Sequence, residues 1–196
     1  STMRNQKSMR YMLNPFNTVY ASTRLVVGQT AQARMPLQSI GQDAVMARTA
    51  GAASPSPLIV LVVGETVRAA NSGLGGYARD TTPQLRQLQA SGELGYFSDV
   101  TSCGTNTQVS VPCMFSHLGR EAYAQNDVPY ENLLDVLQRA GMHVLWLDNQ
   151  SGCKGVCDRV AHAETRELKD PALCADDECL DEIMLRVLPA KLAELE

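Results

Sequence analysis

In the stretch CGTNTQVSVPC, residues 103–113, a glycine and an asparagine precede Thr107, and two cysteines bracket the segment. A hydroxyl is an effective nucleophile only when its alkoxide is stabilised, and the unpaired amides of a helix start supply that stabilisation. The same amides would stabilise the oxygens of a phosphorylated threonine, so Thr107 is a candidate nucleophile for transfer of a phosphorus-containing group, with a threonine that merely caps a helix as the ordinary alternative. A second candidate is Glu65, in the turn Gly64-Glu65-Thr66 that follows the apolar run LIVLVV of residues 58–63. Active sites of open α/β sheets lie outside the carboxyl ends of the strands. A carboxylate there can bind a hard or borderline cation or act as a base, and a cation so held would lower the pKa of a nearby hydroxyl. A solvated turn carboxylate is the plainer alternative.

All six cysteines fall between residues 103 and 179, in three close pairs: Cys103 with Cys113, Cys153 with Cys157, and Cys174 with Cys179. An even count in local pairs suggests three disulfides and an oxidising compartment such as the periplasm or cell exterior. Reduced thiols or a zinc site in a cytosolic protein are the alternative, although zinc motifs usually show tighter CxxC or Cys/His spacing. A Cys103–Cys113 bridge would pin the turn before Thr107 and stabilise it by about 2 to 3 kcal/mol. His117, His143 and His162 stand in no metal motif, and none of them is assigned to metal.

These residues need a scaffold. The β-branched run of residues 58–63 reads as a strand buried on both faces, which implies a parallel sheet. Thr81-Thr82-Pro83 supplies cap and first-turn chemistry for a helix to about Gln89, ended by Ser91-Gly92. Residues 95–101 read as a second strand, 107–118 as a helix, and Tyr130 to Ala140 as another helix with Gly141 in the left-handed terminating position. HVLWLD, residues 143–148, is a third strand, and the acidic segment DDECLDE starts a final helix towards Leu188. Alternating strands and helices predict an α/β sandwich with a mainly parallel sheet.

With 44% hydrophobic and 19% charged residues, the 196-residue chain has room for one sizeable domain and an appendage. The run from Leu58 to Val63 is far shorter than the roughly 18 apolar residues of a membrane span, and the N-terminus lacks the order of a signal peptide. The net charge of −4 hides an asymmetry: residues 1–42 contain Arg4, Lys7, Arg10, Arg24 and Arg34 but no acidic residue. That basic stretch, helix-compatible over residues 3–34 apart from a break at Asn14-Pro15, suits an interfacial helix near anionic headgroups, or a solvated linker. Residues 35–57, rich in Gln, Ala, Ser, Gly and Pro, read as a linker. The remainder carries 12 basic against 21 acidic residues, which argues against nucleic acid as a partner.

Three stretches, GETVRAANSGLGGYARDTTPQL (64–85), TSCGTNTQVSVPCMFS (101–116) and WLDNQSGCKGVCDRV (146–160), closely resemble bacterial lipid A phosphoethanolamine transferases, which include the mobile colistin-resistance enzymes. RYMLNPFNTVYA, residues 10–21, resembles the segment that joins their transmembrane and periplasmic domains. The resemblance implies an alkaline-phosphatase-like fold with zinc, at the bacterial inner membrane with the catalytic domain in the periplasm. Residues 1–57 then form a membrane-proximal amphipathic segment and linker, and residues 58–196 the N-terminal part of the catalytic domain. Glu65 matches a metal ligand, and Thr107 matches the threonine that ligates metal and carries the phosphoethanolamine intermediate. The implied reaction takes phosphoethanolamine from phosphatidylethanolamine to Thr107, and from there to a lipid A phosphate, which weakens polymyxin binding. Lys154 matches a lysine near the substrate phosphate, and Gln150 stands where some relatives have a substrate-holding Asn. The family's disulfides also support the three cysteine pairs.

Family members continue to an Asp-His pair and further histidines that complete the metal site, whereas this sequence stops at Glu196. Weak or absent zinc binding and little activity are therefore expected of the chain alone. Rival readings are a phosphoglycerol transferase or sulfatase-like hydrolase on the same scaffold, and a disulfide-stabilised module without catalysis. A sulfatase normally needs an oxidisable Cys or Ser nucleophile in its own motif, which CGTNT does not supply.

Overall fold

Each helix start leaves free amides that a polar side chain can satisfy, and such residues set several boundaries here. The computed structural model describes residues 35–46, 58–168, 170–175 and 178–194. Helix α1, Pro83–Ala90, begins with proline at a first-turn position, and Gly92 at φ 80° follows its end. The expected threonine cap takes a different form. Thr82 makes no side-chain cap bond, while Thr81 Oγ1 accepts from the Gly73 amide and donates to the Asn71 carbonyl, tying α1 to the turns before it.

Helix α2, Thr107–Met114, is capped by Asn106, whose side chain accepts from the Val109 amide. It stops short of the expected residue 118. A short helix α3, Arg120–Gln125, follows. Helix α4, Leu133–Arg139, has a capping box in which Asn132 accepts from the Leu134 amide at 2.8 Å and Asp135 accepts from the Asn132 amide at 2.7 Å. Gly141, at φ 91°, closes α4 as its position in sequence suggests.

The strands differ more from expectation. HVLWLD contains β1, Leu145–Asp148, which pairs in parallel with β2, Ala161–Glu164, from Leu145 opposite Ala161 to Asp148 opposite Glu164. Residues 149–160 connect them, near the lower limit of about a dozen residues for a parallel crossover. Residues 58–63 and 95–101, both expected as strands, are not strands among the described residues, because neither has a hydrogen-bonded neighbour there. The expected burial of the first run on both faces is likewise absent: Leu58, Ile59, Val60, Leu61 and Val62 are exposed. Unpaired extended backbone lacks the ladder that defines a sheet.

The final helix also starts later than DDECLDE suggests. Cys174–Ala175 (β3) and Glu178–Cys179 (β4) form an antiparallel hairpin closed by a disulfide between Cys174 and Cys179, so Cys179 lies in a strand rather than a helix. Helix α5, Ile183–Ala193, begins beyond it and continues through Pro189. No helix among the described residues is long and apolar enough to cross a membrane. The basic N-terminal stretch, with its Asn14-Pro15 break, lies outside the described residues.

Within the stretch expected to be a linker, residues 38–41 are attached to the α3–α4 region. The Gln38 amide donates to the Pro129 carbonyl, the Glu131 amide donates to the Gln38 carbonyl, and the Ile40 amide donates to the Glu131 carboxylate. Arg139 pairs with Glu131 and donates to the Ile40 carbonyl, at 2.6 Å. The Arg139 bond holds the Glu131 carboxyl below its ordinary range.

The core gathers Val111 and Phe115 from the α2 segment, Leu134 from α4, and Cys153, Val156, Cys157 and Val160 from the crossover. Val63, Val144 and Trp146 pack against it, with Phe115 edge-on to Trp146 at 5.5 Å. Beside this core, Asp135 receives Arg159 through two bonds of 2.6 and 2.7 Å. Burial opposes ionisation of Asp135, but the bonds from Arg159 and the Asn132 amide, with the nearby guanidinium charges, hold its carboxyl below the ordinary range. A depressed folded-state pKa contributes stability that is complete above the unfolded value and is lost as pH falls through the folded value. Asp135→Asn should thus destabilise the chain by about 2 kcal/mol at neutral pH, and the gap from wild type should narrow as pH drops below the ordinary aspartate range. Urea unfolding at several pH values measures it; a gap that stays constant down to strongly acidic pH would contradict the assignment.

Candidate active site

Asn106 caps α2, so the capping alternative for Thr107 does not apply: Thr107 is the first helical residue and its hydroxyl turns elsewhere. Thr107 Oγ1 donates towards both oxygens of Glu65, at 3.1 and 3.3 Å. Two residues distant in sequence thereby meet at a helix start. Cys103 is bonded to Cys113, which ties the turn before Thr107 to the far end of α2. Gly104 lies close under the helix, where an added Cβ would stand 3.0 Å from Val109 Cγ1. The segment CGTNT is thus held by the cap, the bridge and close packing.

Glu65 sits in a constrained turn. A Cβ on Gly64 would approach Val67 Cγ2 to 2.7 Å, and Thr66 adopts φ 54°, which is costly for a β-branched residue. Thr66 Oγ1 donates to Glu65 Oε1 at 2.9 Å. That oxygen therefore receives two hydroxyls, which fixes the carboxylate in front of α2.

Gln150 and Lys154 lie on the crossover after β1. Lys154, at φ 54°, donates through Nζ to the Ser151 carbonyl and to Ser151 Oγ. The Gln150 amide donates to Asp148 Oδ1 at 2.8 Å, and its side chain reaches Asp181 at 3.4 Å. Cys153 is bonded to Cys157 beneath the loop, both buried, and Asn132 Nδ2 donates to the Val156 carbonyl at 2.8 Å. An open cleft of about 200 Å³ lies here, lined among others by Trp146, Asp148, Lys154, Asp158, His162 and Glu164. Phe115, just past α2, and Trp146, on β1, form the packed floor connecting this loop to the Thr107 helix.

Metal binding can be tested against the donors present. Cys153, Cys157 and Asp158 bring ligand-type atoms within 4.8 Å of one another, but the two sulfurs share a disulfide and cannot ligate. His117 packs edge-on against Tyr130, and His162 Nδ1 lies 3.1 Å from the Val160 carbonyl oxygen. The facing oxygens of Glu65 and Thr107 suit a zinc ion as two ligands, where a tetrahedral site takes four.

Sequence reasoning missed Asn106, Asp148 and the Asn132–Asp135–Arg159 cluster. Two of these had a readable signal: Asn132 followed by Asp135 is a capping pattern, and Asp148 stands at the carboxyl end of a strand. Arg159 had none, because nothing local marks which carboxylate a distant arginine will meet.

Comparison with known proteins bears on the family of the chain. The sulfatase family matches residues 57–195. Phosphoethanolamine transferase EptA of Salmonella typhimurium is 44% identical over 189 residues, covering 96% of this chain and 34% of that protein. The solved integral membrane lipooligosaccharide phosphoethanolamine transferase A from Neisseria meningitidis superposes with a TM-score of 0.84 at 41% identity, covering 98% of this chain and 35% of that one. The crystal structure of its soluble domain gives 0.73 at 46% identity, covering 82% of this chain and 47% of that domain. The chain spans about a third of the length of the curated relatives it matches. With a family match over most of its length and transferase enzymes among its relatives, the chain belongs to the sulfatase family.

Proposed function

We infer that the chain carries the nucleophile-bearing part of a transferase that moves phosphoethanolamine from phosphatidylethanolamine to a lipid A phosphate, in the periplasm at the inner membrane. The observation that carries this reading is Thr107 Oγ1 at the start of α2, donating to both oxygens of Glu65. A threonine in such a place is built to exchange its proton, and the relatives are named for phosphoethanolamine transfer. The small parallel sheet and its helices are read as part of a larger alkaline-phosphatase-like sandwich.

In the first half-reaction Thr107 Oγ1 forms a bond to the headgroup phosphorus while the bond from phosphorus to the diacylglycerol oxygen breaks. The Thr107 proton departs along its existing bond to Glu65 and ends on the diacylglycerol hydroxyl. First-turn amides of α2, which no preceding helical carbonyl can satisfy, face the charge that develops on the phosphoryl oxygens. In the second half-reaction a lipid A phosphate oxygen bonds to that phosphorus while the bond from Thr107 Oγ1 to phosphorus breaks, and the proton released by the acceptor phosphate passes through Glu65 to Thr107. Glu65 and Thr107 would hold zinc, which when bound lowers the hydroxyl pKa and polarises the phosphoryl group. Lys154 places a point charge for the phosphate, and Gln150 offers an amide beside it. The added ethanolamine offsets negative charge on lipid A and weakens its attraction for polymyxins. The basic N-terminal stretch would hold the domain near the membrane surface.

The test uses a protein extending over the full length of the relatives and containing this chain, incubated with phosphatidylethanolamine vesicles and analysed by peptide mass spectrometry. Phosphoethanolamine should appear on Thr107 and vanish in Thr107→Ala, and Glu65→Gln should slow its appearance by about a hundredfold or more. Phosphoglycerol on Thr107, or loading that survives Thr107→Ala, would defeat the proposal. A second measurement concerns the metal. With two oxygen ligands of about four required, the purified 196-residue chain should retain well under one zinc, and Glu65→Ala should lower that further; stoichiometric, tightly held zinc contradicts it.

A further inference from the structure

The side chain of Asp148 makes three hydrogen bonds that no role described above requires. It is the last residue of β1. Its Oδ1 accepts from the Gln150 amide at 2.8 Å and from the Gly152 amide at 3.1 Å, while Oδ2 accepts from Trp146 Nε1 at 3.2 Å. The indole is itself fixed, packed against the core and edge-on to Phe115. One carboxylate thus connects the immobile end of a strand to two successive corners of the loop that carries Lys154.

That loop needs such an anchor. Gly152 at φ 83°, Lys154 at φ 54° and Gly155 at φ 86° all occupy the left-handed region, and lysine there is disfavoured. Left to itself the segment would relax. On the far side, the Cys153–Cys157 bridge and the bond from Asn132 to the Val156 carbonyl hold it, but neither reaches residues 150–152. The near side is secured at its base by Thr165 Oγ1, which donates to the Asp148 carbonyl at 3.2 Å, and along its length by the Asp148 carboxylate. Ser151, whose carbonyl and hydroxyl receive Lys154 Nζ, lies between the two amides that Asp148 binds.

We propose that Asp148 is a positioning residue: it shapes residues 150–154 so that the Lys154 ammonium is presented to a phosphate headgroup at the cleft. This rests on the headgroup role given to Lys154 under the proposed function. The acceptor geometry, rather than the negative charge alone, does the shaping, because the amides need only an oxygen at Oδ1. Asparagine can supply that oxygen, whereas its amide nitrogen cannot accept from the indole.

Amide hydrogen exchange on the 196-residue chain, combined with acetic anhydride labelling of Lys154 read by mass spectrometry, tests the inference. Asp148→Ala should speed exchange at Gln150 and Gly152 by about tenfold and labelling of Lys154 by about threefold, the scale of one or two lost hydrogen bonds. Exchange at Val136 in α4 and at Ala140, which caps it, should stay at wild-type rates. Asp148→Asn should restore the two loop amides and Lys154 labelling, while the Trp146 indole proton exchanges faster. Wild-type rates at Gln150, Gly152 or Lys154 in Asp148→Ala overturn the inference, as does an Asp148→Asn chain that behaves like it. If Asp148→Ala unfolds, seen as rapid exchange in α4 too, the selective pattern required of Asp148→Asn decides the matter alone. Phosphoethanolamine should slow Lys154 labelling in wild type and less so in Asp148→Ala. Equal slowing in both overturns the role of Asp148, whereas no slowing in wild type, with the loop amides still released by Asp148→Ala, overturns the headgroup role of Lys154 instead.

Discussion

Asp135 is buried, and its two oxygens are shared between the Asn132 amide and the Arg159 guanidinium. Desolvating a carboxylate costs several kcal/mol, and an arrangement of this kind persists only when a bidentate partner and further donors offset that cost. Asp135 has both. Its bond to the Asn132 amide closes the cap of α4, and its bonds to Arg159 bring in the end of the crossover. Asn132, oriented by the same cap, then reaches the Val156 carbonyl. Three contacts thereby fix the helix against the loop that contributes Cys153, Val156, Cys157 and Val160 to the core. Phe115 and Trp146 pack onto that platform, and through them α2 and β1 receive their places. The parts that present Thr107 and Lys154 depend on this one polar cluster.

Local chemistry made much of this legible. Pro83 at the start of α1, Gly92 and Gly141 after their helices, and HVLWLD as a strand each follow from rules that act over a few residues, and the structure places them so. Composition and alternation gave a mixed α/β chain with parallel pairing, and a small parallel sheet is what β1 and β2 form. What was misread depends on distant partners. LIVLVV has the composition of a buried strand, yet a strand exists only where another backbone meets it, and among the described residues none meets residues 58–63. DDECLDE has the charge of a helix start, but Glu178 and Cys179 pair as a strand with Ala175 and Cys174, in a hairpin that their disulfide closes. Charge pattern does not reveal that a neighbouring strand takes up these backbone groups.

The candidate site divides along the same line. Thr107 at a helix start was readable from CGTNT, whereas its meeting with Glu65 was not, since the turn at Gly64 and the cap at Asn106 jointly aim the two side chains. The resemblance to phosphoethanolamine transferases implied that both residues ligate metal, without saying what leaves the Thr107 hydroxyl available. The structure supplies the reason: Asn106 takes the capping work, so the Thr107 hydroxyl is left to donate to a carboxylate. Had Thr107 been the cap, its oxygen would have been engaged with a helix amide and poorly available for reaction.

Among the described residues, two that are not glycine adopt positive φ, Thr66 and Lys154. One follows Glu65 and the other is the candidate phosphate-binding lysine. Each such conformation costs on the order of 1 to 3 kcal/mol and survives only where its surroundings fix it more firmly than it resists. Thr66 is fixed by the close packing of Gly64 on Val67 and by its own bond to Glu65; Lys154 is fixed by a disulfide, by Ser151 and by the turn that Asp148 holds. Glycine at either position would remove the strain, but it would also remove the bonds these side chains make and add to the entropy of the unfolded chain. A non-glycine side chain in a conformation that favours glycine motivates a search for a use that glycine cannot fulfil. For Lys154 the proposed use is a cation on a rigid loop, and for Thr66 it is a hydroxyl that orients the Glu65 carboxylate facing Thr107.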